Sequence, residues 1–315
     1  ASRCRGGANL AISDNTRGIL YMNVAMATFT VNDTFMKLTT QSLPLAQAVV
    51  IRGALTVVLL LVLAQAMGGL QLRMSRVDAK LMALRTVGEL GGTVLFLLAL
   101  MQMPLANLSA ILQSLPLAVT LAAALVMGEK VGWRRMLAIA VGFGGVLLIV
   151  RPGPQGFDVW SMMALGSVAC VVLRDLVTRR FSRALPSVTV AFYAASSVLL
   201  MGLAGLVTEG WQPVTGAQMV GLSAAALALI MGYLFVVMAM RVGEVALIAP
   251  FRYSALLWAI MLGWLAFGAL PDGVTLIGAA VVVASGLYTY LREYQVQRRL
   301  AASARVAEAA SVSDP

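Results

Sequence analysis

Seven charged side chains lie inside long apolar runs: Asp33, Arg52, Arg85, Glu89, Arg174, Asp175 and Arg252. An ionised group at the centre of a bilayer costs about 2.5 to 3.5 kcal/mol on insertion scales, so each needs a partner or a water-filled cavity. Four arginines against three acids leave one positive charge over, which suits an anionic or electron-rich solute. Arg85 and Glu89 are four apart and share a helix face, as a structural ion pair or as part of a gate. Asp33 and Asp175 each have a basic residue four positions on, Lys37 and Arg179. They read either as snorkelling pairs at a helix end or as matched gates or proton-coupling groups. Arg174 reads as a surface anchor, whereas Arg52 and Arg252, with no acid near them in sequence, read as cavity-facing. The uncharged candidates are Asn107, Ser109, Gln113 and Ser114 in one run, Tyr253 and Trp258 in another, and Tyr193. The polar ones could bind a solute or only tie helices together, and the aromatics could stack on a planar ligand.

The runs that hold these residues are membrane spans. At 60% apolar and 11% charged, with mean hydropathy +0.90, the chain lacks the polar surface of a soluble domain of 315 residues. Windows of about 20 apolar residues, enough to cross roughly 30 Å of hydrocarbon, fall at 18–36, 45–67, 81–102, 105–127, 133–150, 159–178, 187–207, 218–240, 245–267 and 274–291. The arginines before Gly18 resemble the start of a signal peptide, but the run that follows is long for one and reads as a retained first span. Of the 23 basic residues, 17 fall on the side of both termini, 2 (Lys37 and Arg151) on the other, and 4 within spans. By the positive-inside rule both ends lie in the cytoplasm. The same placement accounts for a net charge of +10 without nucleic acid, since the positives are dispersed and form no stripe.

The sequence contains no histidine and only Cys4 and Cys170, so no metal site, cofactor or disulfide is expected. The competing class, a membrane-embedded enzyme, would need clustered acids for a metal or a nucleophile with its base, and neither pattern appears.

The chain also repeats itself. Shifted by 142 positions, Asp33 falls on Asp175, Lys37 on Arg179, and Leu43-Pro44 on Leu185-Pro186; at 140, Met127-Gly128 falls on Phe267-Gly268. Each copy holds five spans, an odd number, so the copies enter the membrane from opposite sides. The expected fold is all-α and polytopic, ten transmembrane helices in two inverted five-helix repeats, an arrangement associated with alternating access around a midplane site. The expected divisions are a cytoplasmic tail at 1–17, repeats at 18–151 and 152–292, and a frayed cytoplasmic tail at 293–315. Spans 5 and 10, with Gly142, Gly144, Gly145, Gly278 and Gly286, read as scaffold or as the surface of a homodimer.

Met127-Gly128-Glu129 at the end of span 4, the glycine-rich span 5 ending in Val150-Arg151-Pro152-Gly153, and Arg52 in span 2 together resemble the EamA family of the drug/metabolite transporter superfamily. The resemblance implies secondary transport of a small metabolite without ATP, with a cavity formed by spans 1 to 4 and 6 to 9. Arg52 matches the family's recurrent span-2 arginine. The second copy departs from the first, with Ala194 in place of Arg52 and Ala269 in place of Glu129, so the cavity should be asymmetric. Asn32-Asp33-Thr34, Pro104 to Asn107, Ala249-Pro250-Phe251 and Leu291-Arg292-Glu293 look most like importers of riboflavin and of S-adenosylmethionine. Riboflavin is the first expectation, its planar ring suiting the aromatics and amides named above.

Overall fold

The computed structural model describes residues 14–312 except 67–68, 71–72, 129–131, 152–157, 183–184 and 243–244. Arg3, Cys4, Arg5, Glu129, Lys130, Pro152 to Pro154 and Arg183 lie outside the described residues. The helices are α1 (Asp14–Thr39), α2 (Leu45–Ala66), α3 (Arg76–Gln102), α4 (Leu105–Leu112), α5 (Leu115–Met127), α6 (Trp133–Val150), α7 (Val159–Thr178), α8 (Ser187–Glu209), α9 (Gly216–Val242), α10 (Val245–Ile248), α11 (Ser254–Phe267) and α12 (Gly273–Val312). A 3-10 turn, Ala249–Tyr253, joins α10 to α11. Among the described residues nine segments are long and apolar enough to cross a membrane, α4 with α5 counting as one and the 3-10 turn with α11 as another. The tenth expected span, α1, has the length, at 26 residues. Asn23, Asn32 and Asp33 lower its hydropathy, and Asn32, Thr30 and Thr34 face inward.

Packing explains how so polar a helix is held. α1 lies along α9, and α3 along α7; α2 meets α8, and α6 meets α12. Exchanging the halves turns the α1 and α9 contact into that of α7 and α3 and maps the other two pairs onto themselves. The extensive contacts therefore run between the halves, which interlock and do not stand as two separate bundles. Close approach is permitted by glycine. A Cβ on Gly145 would lie 2.8 Å from the Gly278 carbonyl oxygen, and one on Gly278 would lie 2.7 Å from that of Gly145. That glycine face of spans 5 and 10 is used within the chain. On α3, a Cβ at Gly88 would stand 2.8 Å from the Cys170 carbonyl oxygen.

Both members of the symmetric span pair 4 and 9 are broken. α4 gives way to α5 at Gln113 and Ser114, just ahead of Pro116, and the 3-10 turn containing Pro250 precedes α11. At each break a serine hydroxyl adds a hydrogen bond to the carbonyl three residues back, Ser114 to Ile111 and Ser254 to Phe251, both at 2.7 Å, a local side-chain bond that helps a disrupted helix hold at membrane depth. The two halves meet at these breaks, where Gln113 Nε2 donates to the Tyr253 carbonyl across 3.3 Å. Both spans end on a left-handed glycine, Gly128 at φ 69° and Gly268 at φ 64°, the helix stop that needs no Cβ.

The tail expected to fray instead continues α12 as helix to Val312. Residues 287–312 contain no glycine or proline and are rich in Ala, Arg, Gln and Glu, all strong helix formers. At the other end of the chain, Asp14 to Arg17, expected to belong to the tail, already form the first turn of α1.

Candidate functional site

Arg85 and Glu89 form the intrahelical pair their spacing predicts, at 3.1 Å. Glu89 stands midway along α3 and also meets Arg174 of α7 at 3.5 Å, and Arg174 turns back on Asp175 at 3.0 Å. Arg85 Nε donates to the Thr178 hydroxyl at 3.2 Å. The result is an alternating ladder, Arg85, Glu89, Arg174, Asp175, that joins the two halves. Arg174 is thus part of the interior network and not a surface anchor: its side chain, 25% exposed, reaches inward because α3 and α7 approach so closely at Gly88.

The second group lies on α1 and α2. Arg52 is buried and donates from Nη1 to Asn32 Oδ1 at 3.1 Å, while Asn32 Nδ2 donates to Asp33 Oδ1 at 2.9 Å. Asp33 and Arg52 are within Coulombic reach of each other, with the Asn32 amide bridging them. The expected Asp33 and Lys37 pair does not form. Lys37 Nζ instead donates to the carbonyls of Leu100 and Met103 at 2.6 and 2.5 Å and sits 5.5 Å from the centre of the Phe267 ring. A cation there meets the negative end of α3. Asp175 likewise pairs with its neighbour Arg174, and it also faces the cavity described below for Arg252.

Tyr233 of α9, absent from the residues picked out by sequence, ties the two groups together. It lies within Coulombic reach of Arg52, Arg85, Glu89 and Arg174 and rests edge-on against Phe29, 5.4 Å between ring centres. Although close to these groups it is 47% exposed. Counted over both groups, three arginines (52, 85, 174) stand against three acids (33, 89, 175). The expected positive excess is absent because the fourth arginine, Arg252, is exposed. It lines a cavity of about 280 Å³ at the Asp175 end of the ladder, with Leu115, Pro116, Asp175, Thr178 and Arg179.

Several expected ligand contacts are spent elsewhere. Ser114 and Gln113 serve the helix breaks. Tyr253 turns its ring toward α12, where a Cβ on Gly286 would collide with the phenol oxygen, and that buried hydroxyl has no hydrogen-bond partner among the described residues. Trp258 packs on the apolar cluster of Met22, Ala25, Met26, Ala239 and Ile248. Tyr193 stacks edge-on with Phe192 at 6.1 Å. Asn107 lines a cavity of about 420 Å³ at the basic-poor end, with Arg151, Asp158, Trp160, Asp272 and Thr275, and is thus separate from the charged groups. The proline-driven breaks rotate the downstream faces of spans 4 and 9, and periodicity counted through a break misassigns them.

At that same end the halves are fastened together. Gln47 and Gln212 exchange hydrogen bonds of 2.7 and 3.0 Å, Glu209 accepts from the Ala46 amide at 2.8 Å, and Arg151 pairs with Asp272. Asp272 lies outside the spans, and its hydrogen bonds from Arg151 and Thr275 hold its pKa down at about 2. At the basic-rich end, Asp78 of α3 accepts from the Ser182 amide and hydroxyl at 3.1 and 2.9 Å.

Apolar helices closed around a sequestered, balanced set of charges are the build of a multi-pass membrane transporter. Residues 16–151 match the sequence model of the EamA-like transporter family. It is 24% identical to the pseudopaline exporter CntI of Pseudomonas aeruginosa over 84% of this chain and 93% of that protein. It is 26% identical to a riboflavin transporter of Rhizobium johnstonii over 66% of this chain and 69% of that one. An S-adenosylmethionine uptake transporter of Rickettsia felis is 20% identical over 62% and 66%. A solved structure superposes with a TM-score of 0.63 at 19% identity, covering 89% of this chain and 98% of the other, which supports the fold.

Proposed function

We propose that this protein is a secondary transporter that moves a small polar metabolite across a bacterial inner membrane by alternating access, with both termini in the cytoplasm. The observation that carries the reading is the mixed set of buried charges shared between helices that exchange under the repeat. Such groups are costly in a bilayer unless they serve a pathway, and two interlocked, oppositely directed halves can open to either side in turn. The orientation rests on the 17 to 2 division of basic residues. Residues 18–151 and 152–292 are the units that rock, and Asp33, Arg85, Glu89 and Asp175 are the gating or coupling groups.

Relatives carry names for riboflavin, S-adenosylmethionine and pseudopaline, and these solutes head the substrate list. Riboflavin loses the stacking slot that recommended it, because Tyr253 and Trp258 face other helices. The test is uptake into proteoliposomes of riboflavin, S-adenosylmethionine, amino acids and nucleosides, with and without a proton gradient. The expected result is saturable movement of one class without ATP; no movement of any solute would overturn the reading.

A further inference from the structure

The larger cavity, at the basic-poor end, is lined by none of the charged groups on α1, α2, α3 or the end of α7. Its volume of about 420 Å³ falls in the range of small-molecule sites, roughly 300 to 1,000 Å³. The start of α4, the end of α6 and the starts of α7 and α12 surround it. Part of its wall is apolar, with Met103, Ile149, Val150 and Leu270. Trp160 of α7 both lines it and packs on the apolar core.

Two polar groups of the lining have bonding capacity that no neighbour uses. Asn107 Oδ1 is buried and has no hydrogen-bond partner among the described residues, a costly condition for an amide unless something from outside the chain donates to it. Asp158 caps α7 with Oδ2, which accepts from the Ser161 amide at 3.1 Å; its other oxygen accepts nothing among the described residues. Asp272 differs, since Arg151 takes one of its oxygens and the Thr275 amide the other. The charged residues of the lining are Arg151, Asp158 and Asp272. With the Arg151 and Asp272 pair closed, the carboxylate of Asp158 is the charge left over.

A surplus carboxylate, an amide oxygen in need of a donor and an indole ring ask for one chemistry. A protonated amine brings N–H donors for both oxygens, and its charge is attracted by the carboxylate and by the indole face. A neutral molecule forgoes the charge-assisted bonds. A carboxylate carried beside the amine would meet Asp158 and Asp272, a like-charge approach that is penalised at any recognition surface.

We infer that this cavity is a binding site for a protonated monoamine with an apolar body, its ammonium held by Asp158 and Asn107 and its body against Trp160, Met103 and Leu270. The site belongs to the basic-poor end alone. At the two repeat offsets Asn107 falls on Ala249 or Leu247, so the other half has no amide in this place. Binding here is set by the cavity and does not rest on the transport reading.

The experiment is equilibrium dialysis of the full chain in detergent at about pH 7 with radiolabelled phenethylamine, an amine protonated there as lysine is. It is set against 2-phenylethanol, which is neutral, and phenylalanine, which adds a carboxylate; detergent without protein corrects for partition into micelles. The expected result is saturable binding of the amine, with the alcohol and the amino acid at least tenfold weaker. Asp158→Asn, which keeps a side chain able to cap α7, should weaken amine binding at least tenfold, and Asn107→Leu should weaken it several-fold. Melting within a few degrees of the parent separates lost binding from lost folding, and the two substitutions lie on different helices, so one reports even where the other fails to fold. Absence of saturable amine binding, equal binding of the three probes, or amine binding unchanged in the folded variants would overturn the site. None of these outcomes bears on uptake into proteoliposomes, by which the carrier reading stands or falls separately.

Discussion

Glu89 sits between two guanidiniums, Arg85 at 3.1 Å and Arg174 at 3.5 Å, and its side chain is 12% exposed. Removing its charge leaves Arg85 without an acid partner and Arg174 with Asp175 alone. Breaking a buried pair from one side costs about 3 to 5 kcal/mol, so Glu89→Gln should lower the melting temperature in detergent by several degrees. Adding Arg85→Gln, which removes the orphaned cation and leaves Arg174 on Asp175, should recover more than half of the loss; additive losses would show that the ladder is not energetically coupled. Arg52→Ala should reduce uptake more than tenfold with insertion preserved, as measured by initial rates normalised to reconstituted protein. At this scale the sequence was informative where an interaction is local. The Arg85 and Glu89 pair follows from a spacing of four, whereas Arg174 was misplaced because its depth depends on how closely α3 and α7 approach. Tyr233 was illegible for a related reason: a lone tyrosine in a 27-residue apolar helix has no partner within its own helix to mark it.

The elements themselves were largely legible. The limits 133–150 and 159–178 expected from hydropathy are those of α6 and α7, since Gly, Pro and charge punctuate both ends. Spans 4 and 9 were not, since a break alters the face that each following residue presents, and no count of apolar positions records the new angle. The glycine contact between α6 and α12 offers a sharp test. Gly278→Leu would drive a side chain into the Gly145 carbonyl and Ile149, with backbone on one side that cannot yield. It should cost several kcal/mol, in the range of severe overpacking, and appear as aggregation in size-exclusion chromatography. Gly144→Leu, with nothing within 4 Å of its Cβ position, should behave as the parent. Equal behaviour of the two variants would remove this interface from the scaffold.

For the whole molecule the orientation can be tested with single cysteines in a background lacking Cys4 and Cys170. A membrane-impermeant maleimide should label Thr215→Cys in intact cells and Arg180→Cys only after permeabilisation. The reverse pattern would invert the topology drawn from the basic residues. The fastening at the basic-poor end should also be insensitive to ordinary pH. Asp272 has its pKa depressed from 3.8 to about 2, so its pairing is fully present above about pH 4 and is lost as pH falls through about 2. The melting difference between parent and Asp272→Asn should therefore stay constant from pH 5 to 8, and any pH dependence of uptake in that range must originate elsewhere. A difference that changes across this interval would show that the pair titrates there.

The last helix reaches well beyond the bilayer. Forty residues at 1.5 Å each extend about 60 Å, twice the roughly 30 Å of hydrocarbon that a span must cross. About half of α12 must therefore project from one surface as a rod. In single-particle images such a spike breaks the pseudo-symmetry of an otherwise featureless micelle-bound particle and supplies a handle for alignment, and a fluorophore at its tip would ride about 30 Å from the edge of the hydrocarbon core.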